Sequence, residues 1–411
     1  MAWIVQKYGG TSVGSAEKII NVARRIVRTV SKGHSVAVVV SAMGDTTDAL
    51  TALAKQIMPQ PDERELARLL ATGEQVSSAL LTMALHALGQ AAVSFTGAEA
   101  GVLTDGVPLN ARICDFKADA VRQALEAGKV AVVAGFQGVD RCGEINTLGR
   151  GGSDTTAVAL AAALGADSCE IYTDVDGIYT IDPRLVPAAR KLTAITYDEM
   201  LELASLGAKV LHPRAVECGK EHGVVIHVRS SFHDEEGTLV KEDVGLEKGT
   251  VINGIACDEN QVKFAVLGVP DRPGVAAKIF SAVAQAGINV DLIVQSISRA
   301  GENDILFTVA EDDFEKARSV LQPLIEEIGA STLRYQHNVA KISVVGAGMI
   351  HHTGVAAGMF QALADAGINI EIISTSEIKI SCLIAAEHLQ EAAQAIHSYF
   401  NLQESCACPQ E

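Results

Sequence analysis

Residues Gly274–Ile293 (GVAAKIFSAVAQAGINVDLI) and Gly354–Ile373 (GVAAGMFQALADAGINIEII) match at 12 of 20 positions without a gap, 80 residues apart. A repeat of that fidelity requires two copies of one structural unit. In each copy a β-prone run (Lys263–Val269; Ala340–Val345) precedes a turn and a helix. A β-rich stretch and a second helical run follow (Phe314–Ile328; His388–Phe400). The order β-α-β-β-α-β predicts two ferredoxin-like units of roughly 70 residues each. One further β-segment, Val251–Cys257, precedes both copies and can supply a strand to either.

The chain before the repeats follows another rule. Short apolar runs, Trp3–Lys7, Ser35–Ser41, Lys129–Gly135 and Ser168–Thr173, alternate with helical stretches at Ala16–Val30, Glu74–Leu88, Asp115–Ala127, Asp154–Leu164 and Tyr197–Lys209. Near-continuous apolar strands between helices predict a three-layer α/β domain with a mainly parallel sheet. The polar stretch His233–Gly249 reads as a boundary. The expected organisation is therefore 1–232, a linker 233–249, a first repeat domain 262–337, a second built from 250–261 and 338–404, and a tail 405–411.

Composition narrows the function. Among 411 residues, 48% are hydrophobic and only 4% aromatic, which suits large aliphatic cores. A net charge of −17 disfavours a nucleic-acid binder, so any anion site has to concentrate a few cations locally. The eight cysteines are scattered without a C-x-x-C pair, as expected of reduced thiols rather than a disulfide framework or zinc site. No leader and no membrane-length apolar run are read, so the expected location is cytoplasmic.

The chain has neither G-x-x-x-x-G-K-[ST] nor a G-x-G-x-x-G after the first strand. Other glycine turns stand out. Lys7-Tyr8-Gly9-Gly10-Thr11-Ser12 lies between a strand and a helix. It is either an ordinary turn or a phosphate cradle of backbone N–H groups with one added cation. Gly149-Arg150-Gly151-Gly152-Ser153-Asp154 repeats that design. Asp154 or Ser153 can merely cap the next helix, whereas Arg150 can clamp a carboxylate or phosphate. Thr173-Asp-Val-Asp-Gly177 opens like a calcium loop, but the later ligands fall out of register, so nucleotide binding suits it better. Ser41–Asp48 places hydroxyls where open α/β sheets bind ligands. Glu74 is either a first-turn helix acid or a receptor for an ammonium group. His212 reads as structural.

In order, VQKYGGTSV, VSAMGDTTDAL, TGEQVSSALL, AGFQGVD, TLGRGGSDTTAVALAAAL, EIYTDVDGIYTIDPR and ELASLGAKVLHPRAVE resemble the aspartate kinases of the amino-acid-kinase superfamily, over almost the whole chain. The repeats, with VPDRPGVAAKIF and STSEIKIS, resemble that family's paired regulatory ACT domains. The resemblance implies ATP-dependent phosphorylation of the L-aspartate side chain, with Mg²⁺ held mainly by the ATP phosphates and no dedicated protein metal site. It makes Lys7, Arg150 and Asp154 catalytic. It assigns the substrate to Ser41, Thr47, Glu74, Arg150 and Ser153, and ATP to Lys7, Tyr8, Gly9, Gly10, Thr173, Asp174, Tyr179, Arg184 and Lys209. It assigns lysine or threonine, as feedback inhibitors, to Asp271, Gly274, Asn289, Asp291, Gln295, Asn369 and Thr375. Asn289 and Asn369 can instead be left-handed caps after their helices.

The resemblance further implies pairing of ACT domains between subunits, as a homodimer or with a separate copy of the C-terminal half. A fused homoserine dehydrogenase is not expected. Three departures from the family pattern are Tyr8 for the commoner Phe, Thr353 for a Pro, and Gly106–Asn110 in place of a His-containing stretch. The alternatives are another carboxylate kinase of the superfamily, or a non-catalytic amino-acid sensor.

Overall fold

The run Trp3–Lys7 forms β1 (Trp3–Tyr8), an inner strand of an eight-stranded sheet. The computed structural model describes residues 2–207, 210–242, 251–296 and 301–403, which divide into two units. The first takes in the described residues of Met1–Ile178, Lys191–Ser205 and Lys209–Leu246. The second takes in those of Tyr179–Arg190, Leu206–Ala208 and Glu247–Glu411.

In the first unit β1 is followed by α1 (Ala16–Ser31), β2 (Ser35–Val40), α2 (Thr46–Ile57), α3 (Glu63–Ala87), β3 (Ala92–Phe95), α4 (Gly97–Ala100), β4 (Val102–Thr104), β5 (Ile113–Phe116), α5 (Asp119–Glu126), β6 (Val130–Ala134), β7 (Gln137–Val139), β8 (Ile145–Thr147), α6 (Gly152–Leu164), β9 (Ser168–Thr173), β10 (Ala194–Ile195), α7 (Tyr197–Ser205), α8 (Pro213–His222), β11 (Ile226–Ser230) and β12 (Thr238–Val240). The main sheet has the order β10-β12-β11-β9-β1-β2-β6-β3. Its pairings are parallel except β11–β12. A small second sheet has the order β5-β4-β7-β8.

The sequence explains the layers. Ile19, Val22, Ala23 and Ile26 line one side of α1 and pack with Val36, Val38, Val40, Leu81 and Leu85. From Ala157 onward α6 carries only apolar side chains, and Ala157 to Ala161 are all buried, as a stretch of helix without a polar face requires. The long α3 starts eleven residues before the expected Glu74, at Glu63. Asp62 caps it by accepting the Glu65 backbone N–H at 3.1 Å. Two expectations change. The stretch Asp115–Ala127 opens as β5 and becomes helical only at Asp119. The polar stretch read as linker contributes β12, whose Thr238 and Val240 are buried in the main sheet while Leu239 is partly covered.

The second unit contains β13 (Gly254–Pro270), α9 (Val275–Gln285), β14 (Ile293–Gln295), β15 (Glu302–Val309), α10 (Phe314–Ile328), β16 (Thr332–Val345), α11 (Val355–Asp365), β17 (Ile372–Thr375), β18 (Lys379–Ala385) and α12 (Leu389–Tyr399). The antiparallel sheet has the order β14-β15-β13-β16-β18-β17. Its two long central strands are shared. Gly254–Asp258 of β13 pairs with Lys341–Val345 of β16, and Lys263–Leu267 pairs with Thr332–Gln336. The first half of β13 thus completes the second repeat, answering the question posed by the extra segment before both copies. Each repeat keeps its own core, around Phe264 and Phe307 in the first and Met359 and Ile396 in the second.

A segment from far upstream joins the second core. Ile181 and Val186 are buried with Ile252, Ile255, Met359 and Leu389. Thr180 anchors the segment: its N–H donates to Arg190 O at 2.9 Å, its carbonyl accepts from Ile255 N at 2.7 Å, and its hydroxyl lies 3.1 Å from His397 Nε2.

Candidate active site

β1 alternates between the two faces of the sheet, and that alternation decides what each residue can do. Lys7 is 9% exposed, and its Nζ lies 2.6 Å from Asp154 on the first turn of α6. Tyr8 faces the opposite way. Its ring is fully buried, stacked on Tyr172 at 4.8 Å, and its hydroxyl donates to Gln6 Oε1 at 3.1 Å. Of Tyr8, only the backbone belongs to the turn with Lys7, and the Tyr-for-Phe departure is accommodated in the core by one hydrogen bond.

The turns after β1, β2 and β6 meet. Gly44 N donates to Gly10 O at 3.0 Å, Ser41 N to Tyr8 O at 3.1 Å, and Gly135 N to Val40 O at 3.0 Å. A Cβ on Gly10 would lie 2.8 Å from Ala42 O, so the backbones approach as only glycine allows. Ser153 abuts Gly135, whose Cβ would sit 2.9 Å from the serine side chain. Gly149 and Gly151 both have positive φ, at 75° and 70°. They turn the chain so that exposed Arg150 stands in the loop immediately before α6.

Glu74 joins this group from the middle of α3. It is 3% exposed, and its Oε1 accepts the Ala42 N–H at 2.9 Å, tying α3 to the turn that begins at Ser41. Its Oε2 is buried with no hydrogen-bond donor among the described residues. Burial raises its pKa from 4.5 to about 7, against the opposing pull of the Ala42 N–H. The first-turn reading of Glu74 fails, because α3 begins at Glu63. A buried carboxylate oxygen without a donor marks a position where a water, an ion or a ligand donor can bind. Thr47 lies in the first turn of α2, directly after the Ser41 turn.

Thr173 ends β9, and its hydroxyl donates to Asp174 at 3.0 Å. Tyr179 and Arg184 belong to the segment packed in the second unit. Arg184 is largely exposed and bonded to Asp182 at 2.6 Å, holding that carboxyl below its ordinary pKa. Lys209 lies outside the described residues. His212, read as structural, stands beside the Arg150 loop. Its ring packs against Gly151, where a Cβ would come 2.2 Å from Cγ, and its Nδ1 is buried without a hydrogen-bond partner among the described residues. Burial lowers its pKa. Asn110 is close too, with Oδ1 2.2 Å from where a Cβ on Gly149 would fall. The GVPLN stretch therefore supports the Arg150 loop.

In the second unit, Asp271 follows β13. Its N–H donates to Gly301 O at 2.8 Å, and its carboxylate accepts from Asn303 Nδ2 at 3.1 Å. Gly274 caps α9 at φ 94°. Asn289, Gln295, Asn369 and Thr375 are exposed. The left-handed position after each helix is taken by Gly287 and Gly367, at φ 70° and 71°, and not by Asn289 or Asn369. Glycine adopts that conformation without a Cβ clash, which leaves both asparagine side chains out of the cap. Asp291 pairs with Lys341.

A parallel sheet whose strand ends carry glycine turns, a buried lysine and an unpaired carboxylate, in a chain with twin ferredoxin-like repeats, describes a regulated small-molecule kinase. Comparison with known proteins agrees. Residues 2–230 match the amino acid kinase family, and residues 265–323 and 342–400 match the ACT domain. Aspartokinase from Mycolicibacterium smegmatis is 52% identical over 408 residues, covering 98% of this chain and 97% of that one. Aspartokinase from Thermus thermophilus is also 52% identical, over 404 residues, covering 98% and 99%. The structure of E. coli aspartokinase III with aspartate and ADP superimposes with a TM-score of 0.81 at 26% identity, covering 96% of this chain and 99% of that one. The chain belongs to the aspartokinase family.

Proposed function

We propose that this chain transfers the γ-phosphoryl group of ATP to the side-chain carboxylate of L-aspartate, giving 4-phospho-L-aspartate. The observation that carries the reading is the buried Lys7–Asp154 pair beside the Gly9-Gly10 turn, with Glu74 Oε2 lacking a donor at the adjoining turn. The nucleophile is a carboxylate, already ionised at neutral pH, so no general base is required. What the site has to do is bring an anionic nucleophile up to a triphosphate. That calls for positioning and fixed positive charge.

Lys7 supplies that charge where the phosphoryl group passes, and Asp154 holds its ammonium in place. Gly10 offers its backbone N–H to the phosphates, while Gly9, whose N–H donates to Tyr172 O at 3.3 Å, shapes the turn beside it. Arg150 grips the aspartate α-carboxylate, and Glu74 with Asp154 receives the α-ammonium. Ser41, Thr47 and Ser153 orient the reacting carboxylate. Thr173, Asp174, Tyr179, Arg184 and Lys209 serve the nucleotide. Among the described residues no three His, Cys, Asp or Glu side chains gather into a metal cage. A Mg²⁺ ion carried by the ATP phosphates belongs to the same reading, since this ion keeps most of its water and takes few protein ligands.

The expected domains, 1–232 for catalysis and the two repeat domains for regulation, belong to the same proposal. Lysine, threonine or both act as inhibitors through Asp271, Gly274, Asn289, Asp291, Gln295, Asn369 and Thr375. E. coli aspartokinase III has been solved with lysine and aspartate in a T-state, at 26% identity and a TM-score of 0.76, covering 98% of this chain and 99% of that one. Assembly through ACT domains, as a homodimer or with a separate C-terminal-half subunit, and a cytoplasmic location complete the reading. No helix among the described residues is long and apolar enough to cross a membrane. ADP release from Mg-ATP and L-aspartate, with lysine, threonine or both added, is the direct test. ATP binding without aspartate-dependent turnover would point to another carboxylate substrate.

A further inference from the structure

The loop that carries Arg150 starts and ends on one residue. Ahead of it, Leu148 N donates to Phe136 O at 2.8 Å. Behind it, in α6, the Thr156 hydroxyl accepts the Phe136 N–H at 3.2 Å and donates to Gly152 O at 2.8 Å. Gly152 lies against the same residue, since a Cβ there would come 2.9 Å from Phe136 Cδ2. Phe136, just past β6, thus staples together the two ends of the turn from Gly149 to Gly152.

Its backbone is unusual. Three non-glycine residues among those described have positive φ: Asn338, Asn401 and Phe136, the last at 67°. Asparagine visits that region readily, whereas a bulky side chain clashes there. Such a conformation persists only where the surroundings over-determine it. Here they are the two hydrogen bonds to the Phe136 peptide groups and the preceding Gly135. A Cβ on Gly135 would come 2.9 Å from both the Ser153 side chain and Val39 Cγ1.

The two ends of the loop are secured differently. Leu148 is held a second time, by Arg214, whose Nη1 donates to its carbonyl at 2.5 Å. The other end reaches the Phe136 N–H through the hydroxyl of Thr156, which is fully buried. Thr155 supplies a comparison next door: its hydroxyl makes the ordinary helical back-bond, to Gly151 O at 3.2 Å.

We propose that Thr156 is a positioning residue for the aspartate site. Its hydroxyl holds Phe136 in the left-handed conformation and thereby fixes the Arg150 loop, together with Ser153 and Asp154, in the arrangement that grips the substrate. The inference rests on the kinase reading above and adds to it a buried residue that acts through others. One hydroxyl can accept from Phe136 and donate to Gly152 at once, because it carries a proton as well as lone pairs. Valine has nearly the same shape and can do neither.

The test is steady-state kinetics on the full-length protein, varying L-aspartate and Mg-ATP separately. The variants are T156V, T156S and T155V, each checked for folding by circular dichroism. Misplacing the groups that hold a substrate predicts a loss of roughly tenfold or more in kcat/KM for aspartate in T156V, with KM for Mg-ATP within about threefold of the wild type. T156S keeps the hydroxyl and stays within about threefold in both, as does T155V. If T156V does not fold, hydrogen exchange at the Phe136 amide of the wild type decides the matter: protection supports the bond, and free exchange overturns the proposal. Unchanged aspartate kcat/KM in T156V overturns it while leaving the kinase reading standing. So do an equal loss in T155V, a loss in T156S as large as in T156V, or equal rises in the two KM values. A wild type without aspartate-dependent turnover overturns the kinase reading and this proposal together.

Discussion

Glu74 should make the protein less stable and the enzyme better, and Glu74→Gln separates the two effects. Its pKa stands at about 7 in the folded chain against 4.5 for an ordinary glutamate. The native state therefore holds a proton that the unfolded chain has released. Below about pH 4.5 both states are protonated and there is no differential. Between there and pH 7 native stability falls as pH rises, and above about 7 the full penalty is present. A shift of that size corresponds to about 3 kcal/mol at 1.36 kcal/mol per unit. Glutamine keeps the acceptor for Ala42 N–H but buries an amide N–H where Oε2 has no partner among the described residues. That omission takes back about 1–2 kcal/mol. The net expectation at pH 8 is a gain of roughly 1–2 kcal/mol, or a rise of a few degrees in melting temperature, turning into a loss of up to about 1 kcal/mol near pH 5, where less than about 1 kcal/mol of the ionisation penalty remains. Aspartate KM should rise at least tenfold in the same variant, because the ammonium loses a charged partner. Thermal melts from pH 5 to 8 beside steady-state kinetics provide the check. Equal destabilisation at both pH values, or an unaltered aspartate KM, would refute the assignment.

Other substitutions test separate parts of the site. Lys7→Ala should lower kcat by two orders of magnitude or more while leaving the circular dichroism spectrum intact, since it removes the fixed charge at the phosphoryl group; near-normal turnover would refute that role. Gly10→Ala puts a methyl group 2.8 Å from Ala42 O. It should cost about 1–3 kcal/mol of stability and depress turnover, with unfolding curves and ADP release as readouts. Ile181→Ala should cost about 2–5 kcal/mol in urea unfolding, as for any large core aliphatic, although Ile181 lies in sequence within the first repeat-free half of the chain. A loss below about 0.5 kcal/mol would show that the segment is not part of that core.

Local pattern carried much of this fold. The parallel core strands follow from runs such as SVAVVV, which have no polar face to leave in water. Phe314–Ile328 forms as one helix with the expected bounds, because its apolar spacing and the following Gly329 mark both its face and its end. The repeat announced two equivalent units before any strand was paired. Lys7, the glycine turns and Asp154 were legible because charge and glycine are conspicuous in an acidic chain. Polarity misled at Thr238–Val240: a three-residue strand between charged neighbours has no local signature, and only pairing with β11 makes it one.

The sequence by itself determined which residues could do chemistry, since residue type and period are local properties. Tertiary structure decided which of them meet and what each meeting leaves unfilled. The two-residue alternation of β1 sends Lys7 to Asp154 and Tyr8 to Tyr172. Glu74, expected at the start of a helix, lies in the middle of one and is raised in pKa by burial. Asp291 and Glu371 hold equivalent places in the repeat, yet among the described residues Gln336 donates to Glu371 and no counterpart donates to Asp291, because the cross-strand neighbours of their lysine partners differ, Gln336 beside Lys263 and Asp258 beside Lys341. Burial and hydrogen-bond saturation depend on contacts between distant residues, and those contacts exist only once the chain has folded.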